Sequence, residues 1–155
     1  MICSEISLKP NAKTRRREEN FMGEDEGSCI IVDSAIEVHR ALGPRLLESV
    51  YQICLARELA LRNIPLQEEV AVPVQYKGLI FETVYRVDLL VADKVIVELK
   101  VVENLLPLHK AQLLSYLCLT KIKLGLLINF NVPALKDVIK RVITYDFLCV
   151  FASLR

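Results

Sequence analysis

The chain has no tryptophan, only five glycines in 155 residues, and an aromatic content of 6%. So little glycine excludes collagen-like and glycine-rich low-complexity architectures. No apolar run approaches the ~18–20 residues that a membrane-crossing helix needs, so no membrane partner is expected. The opening stretch, MICSEISLKPNAKTRRREEN, has no apolar core of the signal-peptide kind, which predicts a cytoplasmic protein. The five cysteines (Cys3, Cys29, Cys54, Cys118, Cys149) are odd in number, scattered, and form no C-x-x-C pair. That spacing argues against a disulfide framework and a structural zinc site, and predicts buried free thiols packed as small hydrophobes. Neither sign of charge dominates, with 20 Lys and Arg against 19 Asp and Glu. A protein-wide basic footprint is therefore absent, although a local basic groove is compatible with a neutral chain.

What is present is a globular composition, 53% hydrophobic and 25% charged, at a length suited to one domain with a real core. Residues 1–28 carry a basic cluster (Arg15, Arg16, Arg17) followed by an acidic run (Glu24, Asp25, Glu26), without a persistent period. They read as a flexible N-terminal extension, either solvated or brushing a phosphate backbone, and Met22 is an alternative start. Residues 29–145 form the expected domain, and 146–155 a short C-terminal extension.

Within the domain, Ile31, Ala35, Val38 and Leu42 fall at helical spacing, and Gly43-Pro44 stops that helix. A second helix runs from about Arg45 to Arg62, with Leu47, Val50, Cys54, Leu55 and Leu59 as its apolar stripe. Residues 66–76 read as a strand with Pro73 at an edge position or a bulge, and a further strand begins near Leu79. Pro107 starts a helix that runs through Leu119, on which His109, Gln112 and Tyr116 share a stripe. Lys123–Asn131 is a continuous apolar strand of the doubly buried kind. Val138–Tyr145 fits a helix by the spacing of Val138, Val142 and Tyr145 and a strand by its β-branched content, and is assigned as strand. There is no internal repeat. The order α-α-β-β-β-α-β-β predicts an α/β fold, a mixed central sheet flanked by helices.

The stretch Glu82–Val102, ETVYRVDLLVADKVIVELKVV, is the centre of interest. It reads as two apolar arms around the turn Ala92-Asp93-Lys94, with three charges inside it: Asp88, Glu98 and Lys100. Alternation sets Glu98 and Lys100 on one face. A three-residue loop sets Val91 opposite Val95, and hence Asp88 opposite Glu98 on that same face. A two-residue loop would send Asp88 to the other side. Two converging carboxylates repel unless a cation lies between them. Hard oxygen ligands suit Mg²⁺ or Mn²⁺, which keeps several waters and takes one or two carboxylates, with the Leu99 carbonyl as a further ligand. Lys100 would then lie beside the ion, able to stabilise negative charge on a phosphate or help deprotonate a water. A structural ion pair across the hairpin is the alternative that the residues alone leave open.

The Asp88…Glu98-Leu99-Lys100 pattern resembles the D…(D/E)-x-K core of the PD-(D/E)XK nuclease superfamily. Gln112–Tyr116, Q-L-L-S-Y, is similar to the Q-x-x-x-Y helix motif of its RecB-like branch. More closely, residues from about Ile30 to Ile143 resemble the small bacterial GxxExxY proteins, in AIEVHRALGP, LLESVY, YRVDLLV, KVIVELK and GLLINFNVP. Two positions depart: Arg45 stands at the Gly of G-x-x-E-x-x-Y, which bears on how the helix of Glu48 and Tyr51 begins, and Val87 stands at the Pro before Asp88.

The resemblance implies a restriction-endonuclease-like core with metal-dependent nuclease chemistry. Asp88 and Glu98 would be the main metal ligands, and Glu48 a further acidic ligand or the holder of a metal-bound water. Lys100 would be the charge stabiliser, while Gln112 and Tyr116 would orient the site or touch the nucleic-acid backbone. Arg86, expected on Asp88's face by alternation, would clamp a phosphate or neutralise the acids, and His109 is a further substrate contact. Each has a bland counterpart: Glu48 as a helix-dipole partner, Gln112 and Tyr116 as amphipathic-helix residues, Tyr51 as core. The expected partner is nucleic acid, DNA favoured, with a homodimer among the allowed forms. The competing expectation is a non-enzyme, a nuclease-fold module that binds nucleic acid or protein.

Overall fold

The computed structural model describes residues 24–145. The strand that organises the rest is the short β3, Val95–Lys100, third in a five-stranded sheet ordered β1-β2-β3-β4-β5 among the described residues. Its neighbours are β2, Leu79–Val91, and β4, Leu124–Asn129; β1, Leu66–Tyr76, and β5, Lys140–Ile143, form the edges. Helices α1, Glu24–Leu42, and α2, Glu48–Leu61, precede the sheet, and α3, Pro107–Thr120, connects β3 to β4. That helical crossover is what makes β3 and β4 parallel, whereas the other pairs are antiparallel. A single 3₁₀ turn, Leu135–Asp137, lies between β4 and β5.

Alternation along β3 divides the core. Val95, Val97 and Leu99 pack with Ile31, Ala35, Leu55 and Leu59 of α1 and α2. Ile96 packs on the other side with Leu113, Tyr116 and Leu117 of α3. Every residue of β4 is buried, as its unbroken apolar run requires. Helix α3 lies so close to β4 that a Cβ on Gly125 would stand 2.9 Å from the Leu113 side chain.

The predicted elements are present in the predicted order, with a mixed sheet between helices. Pro73 meets both expectations, lying on an edge strand and at a register shift between Val72 and Val74.

Several boundaries need correcting. Helix α1 includes residues 24–28, which their lack of a period assigns to the extension. Acidic residues in a first helical turn complement the helix dipole, the Ser28 hydroxyl donates to the Asp25 carbonyl, and Asp25 ion-pairs with Arg141 of β5. Helix α2 starts at Glu48 because Arg45 has φ +74, outside the helical region, so Leu47 is an exposed N-cap residue and no part of the apolar stripe. None of the described cysteines is in a disulfide, but Cys29 is exposed and Cys54 and Cys118 are only half-buried. The basic N-terminal cluster and residues 146–155 lie outside the described residues.

Candidate active site

The turn between β2 and β3 is the three-residue loop Ala92–Lys94, with Val91 opposite Val95, Leu90 opposite Ile96 and Leu89 opposite Val97. Ala92 and Asp93 take left-handed φ values of +53° and +55°, which a compact reversal needs, and the Lys94 N–H donates to the Val91 carbonyl. The backbone pairing ends at Leu89–Val97, one residue short of Asp88 and Glu98. There the ladder gives way to a side chain: the Leu99 N–H donates to Asp88 Oδ2 at 2.7 Å. Because the N–H and C=O of one strand residue point to the same lateral side, the Leu99 carbonyl is directed toward Asp88 as well.

Glu98 is 2% exposed. Its Oε1 accepts a hydrogen bond from Lys100 Nζ at 2.7 Å, whereas its Oε2 is buried without a hydrogen-bond partner. Burial, then the Asp88 carboxylate, push the Glu98 carboxyl up to about 7. The Asp88 carboxyl is also raised, by burial first, with Glu48 and Glu69 adding to it against the Leu99 N–H and Lys100. Burial pulls the Lys100 ammonium down, but Glu98, Glu48 and Asp88 outweigh it and hold its pKa above the ordinary lysine value. The site therefore gathers three carboxyl groups around one lysine, and burial holds two of them, Asp88 and Glu98, above their ordinary pKa.

Glu48 is the first residue of α2, and its carboxylate stands 3.9 Å from Lys100 Nζ. The preceding loop is pinned by Tyr51, whose hydroxyl donates to the Gly43 carbonyl at 2.5 Å and accepts the Leu46 N–H at 3.2 Å. Tyr51 is fully buried and stacks on Phe130 with ring centroids 4.4 Å apart. The tyrosine of the E-x-x-Y spacing thus positions Glu48 from within the core. Gln52, one helical turn beyond Glu48, donates to the Asp88 carbonyl at 3.4 Å. The motifs in the sequence do not single out Gln52, although its i+4 relation to Glu48 is a usable signal.

From the opposite side of the sheet, α3 presents Gln112 and Tyr116, with Gln112 Nε2 donating to the Tyr116 hydroxyl at 2.5 Å. Burial raises the Tyr116 pKa; the Gln112 bond opposes this, and the charge of Glu98 adds to it. Glu98, Lys100 and Asp88 all act on this phenol, so the neutral Tyr116 borders the acidic cluster. Its ring also meets Tyr85 edge-on at 5.6 Å.

Two candidates fall elsewhere. His109 Nδ1 accepts the Leu106 N–H at 3.1 Å and satisfies one backbone group at the start of α3. Arg86 does not share Asp88's face. Leu89 packs on the α1/α2 side and Val87 on the α3 side, so alternation breaks at Asp88. The break is matched on β1, where Glu69 takes φ +49 between the Glu68–Leu89 and Val70–Val87 pairs. Arg86 consequently turns to Glu69, with which it forms an exposed ion pair at 3.1 Å.

A divalent cation fits the donor set on one observation: a buried carboxylate oxygen without a partner, beside a second carboxylate and an inward-directed carbonyl. No group of three or more His, Cys, Asp or Glu side chains among the described residues is arranged to hold a metal ion. The ion that suits such a site is one that keeps most of its waters.

With this geometry in place, residues 25–142 match the PD-(D/E)XK nuclease superfamily, and the chain belongs to it. Nucleases of this superfamily generally use divalent metals. No curated protein is significantly similar to the chain. Among solved structures, the crystal structure of SSO0001 is similar at 15% identity and a TM-score of 0.49, over 92% of this chain and 80% of its own.

Proposed function

We propose that the protein hydrolyses phosphodiester bonds of nucleic acid, DNA favoured, in a Mg²⁺- or Mn²⁺-dependent reaction. The observation that carries this reading is the buried, partnerless Oε2 of Glu98 next to Asp88 and Lys100. A purely structural ion pair would be neutral and satisfied; this site has more carboxylates than cations. Asp88, Glu98 and the Leu99 carbonyl would hold the metal, and Glu48, at the mouth of the site, would hold one of its waters. The bound metal would lower the pKa of a water and offset charge on phosphorus.

The chain's own groups supply the rest. Lys100, held by Glu98, directs its ammonium at the position of a scissile phosphate and stabilises the charge that develops there. Tyr116, kept neutral by burial, offers a hydroxyl that Gln112 fixes in place. Arg86, paired with Glu69, and His109, bonded to the Leu106 N–H, lie outside this cluster and carry no step of the reaction. Within the superfamily, the Glu48–Tyr51 spacing and the Gln112–Tyr116 motif favour the bacterial GxxExxY proteins and the RecB-like branch. A cytoplasmic location accords with such a substrate.

The test is a cleavage panel with Mg²⁺ and Mn²⁺ on linear duplex, circular and single-stranded substrates, with Lys100→Ala alongside. Cleavage by the wild-type protein that a chelator and Lys100→Ala both abolish is the expected result. Metal-dependent binding without turnover would instead favour a silent nuclease-fold module, the reading to which near-neutral net charge lends some weight.

A further inference from the structure

Asp88 lies at a gap in the pairing of β2. From Tyr85 to Val91 every other residue of that strand has a register partner on β1. Asp88 has none, because Glu69 takes its left-handed φ between the Glu68–Leu89 and Val70–Val87 pairs. On the other side, the register with β3 ends at Leu89. A strand residue left out of both ladders keeps its place through other bonds.

Two such bonds meet at Asp88. Its carboxylate accepts the Leu99 N–H at 2.7 Å, which fixes the side chain. Its backbone carbonyl accepts Gln52 Nε2 at 3.4 Å, which holds the main chain. The second bond is the longer and the weaker, but it comes from another layer of the fold. Gln52 lies on α2 one turn after Glu48, so the two side chains rise from one face of that helix. Glu48 in turn stands 3.9 Å from Lys100 Nζ.

The carboxamide therefore ties the helix that carries one candidate acid to the strand that carries another. Leu55 and Leu59 hold α2 on the sheet by apolar packing, which is non-directional. The Gln52 bond adds a directional contact at the level of the site. A neutral donor suits this place. A glutamate would repel the Asp88 carbonyl and add a fourth carboxyl group to the three around Lys100.

We infer that Gln52 is a positioning residue, whose carboxamide spans the gap in β2 and fixes Asp88 relative to Glu48. The inference rests on the proposed reading of those two carboxylates as groups that serve a metal, and it adds a residue that stands outside both motifs.

Amide hydrogen exchange of the full chain in excess chelator tests the positioning, because the Leu99 N–H reports whether Asp88 is in place. Gln52→Met keeps the length of the side chain and removes the donor. It should speed exchange at Leu99 by about 10-fold, while Leu126 of β4 changes by less than about twofold. Gln52→Lys restores a donor of similar reach and should return Leu99 to within about twofold of wild type. Mn²⁺ titration, followed by the paramagnetic resonance of the free ion, should give Gln52→Met an affinity about 10-fold below wild type.

Unchanged exchange at Leu99 in Gln52→Met overturns the inference, as does an equal gain at Leu126, which would mean general loosening. So does a Gln52→Lys protein that exchanges like Gln52→Met, since the side chain would then act by packing alone. A Gln52→Met protein that binds Mn²⁺ as tightly as wild type overturns it as well. Wild type that binds no Mn²⁺ would overturn the metal reading, and the exchange comparison would still decide the role of Gln52.

Discussion

Asp88 accepts the Leu99 N–H at 2.7 Å, and with that bond the β2–β3 ladder changes from backbone pairing to side-chain pairing. The change ends the backbone pairing of β3 with β2 at Val97. It holds the Asp88 carboxylate on the Leu99 backbone, where its charge acts on Glu98. Asp88→Asn keeps the acceptor for the Leu99 N–H but removes a negative charge. It should retain the wild-type thermal midpoint to within ~1 kcal/mol of stability while abolishing metal-dependent cleavage. Asp88→Ala should lose both, because the Leu99 N–H is left without its partner.

The Glu98 carboxyl gives a pH test with a definite sign. Its folded pKa, about 7, lies above its ordinary value of 4.5. The folded state therefore holds the proton more tightly than the unfolded chain. Its contribution to stability is fully present below pH 4.5 and is lost as pH rises to about 7, on the order of 3 kcal/mol as an upper figure. Calorimetry on chelated protein at pH 5 and pH 8 should show wild type losing more stability than Glu98→Gln, whose side chain does not titrate. Added Mn²⁺ should recover the wild-type loss at pH 8 and leave Glu98→Gln unmoved. Equal pH slopes for the two proteins would show that Glu98 is already ionised and satisfied in the fold.

Arg45 occupies a left-handed backbone position, φ +74, two residues before the N-cap of α2. An L-residue there carries a strain of roughly 1–2 kcal/mol that glycine avoids. Arg45→Gly should raise the urea midpoint by about 1 kcal/mol of stability without changing the slope of the transition. A loss of stability would mean that the arginine side chain contributes more than its backbone costs.

Much of this site is legible in the amino-acid sequence. Turn length brings Asp88 to the end of the β2–β3 ladder, near enough for its charge to act on Glu98, and helical spacing puts Gln112 and Tyr116 on one stripe. What is illegible shares a cause: backbone irregularity that a regular period cannot foresee. Strict alternation assigns Arg86 to Asp88's face, yet Glu69 adopts a left-handed φ and the alternation shifts at that pair. Apolar spacing starts α2 too early because an arginine gives no turn signal where a glycine would have. Residues 24–28 read as a tail because their role as the first turn of α1 depends on the Asp25–Arg141 pair, a contact between the two ends of the described chain.

The two tyrosines of the motifs should separate by substitution. Tyr51 and Tyr116 are both buried and both use their hydroxyls, but to different ends. Tyr51→Phe keeps the stack on Phe130 and removes the bonds to Gly43 and Leu46, leaving a backbone carbonyl and an N–H without that partner. A cost of about 1–3 kcal/mol is expected, measured as a lower denaturant midpoint. Activity per folded molecule should fall less, because Glu48 is loosened and not removed. Tyr116→Phe loses only the bond with Gln112, which can turn to water, so its stability should stay within ~1 kcal/mol of wild type. Its cleavage rate at saturating metal should nevertheless fall by about 10- to 100-fold, since the phenol borders Glu98 and Lys100. A Tyr116→Phe protein with full activity would reduce the Gln112–Tyr116 pair to helix packing, and the reacting groups to those on β2, β3 and the start of α2.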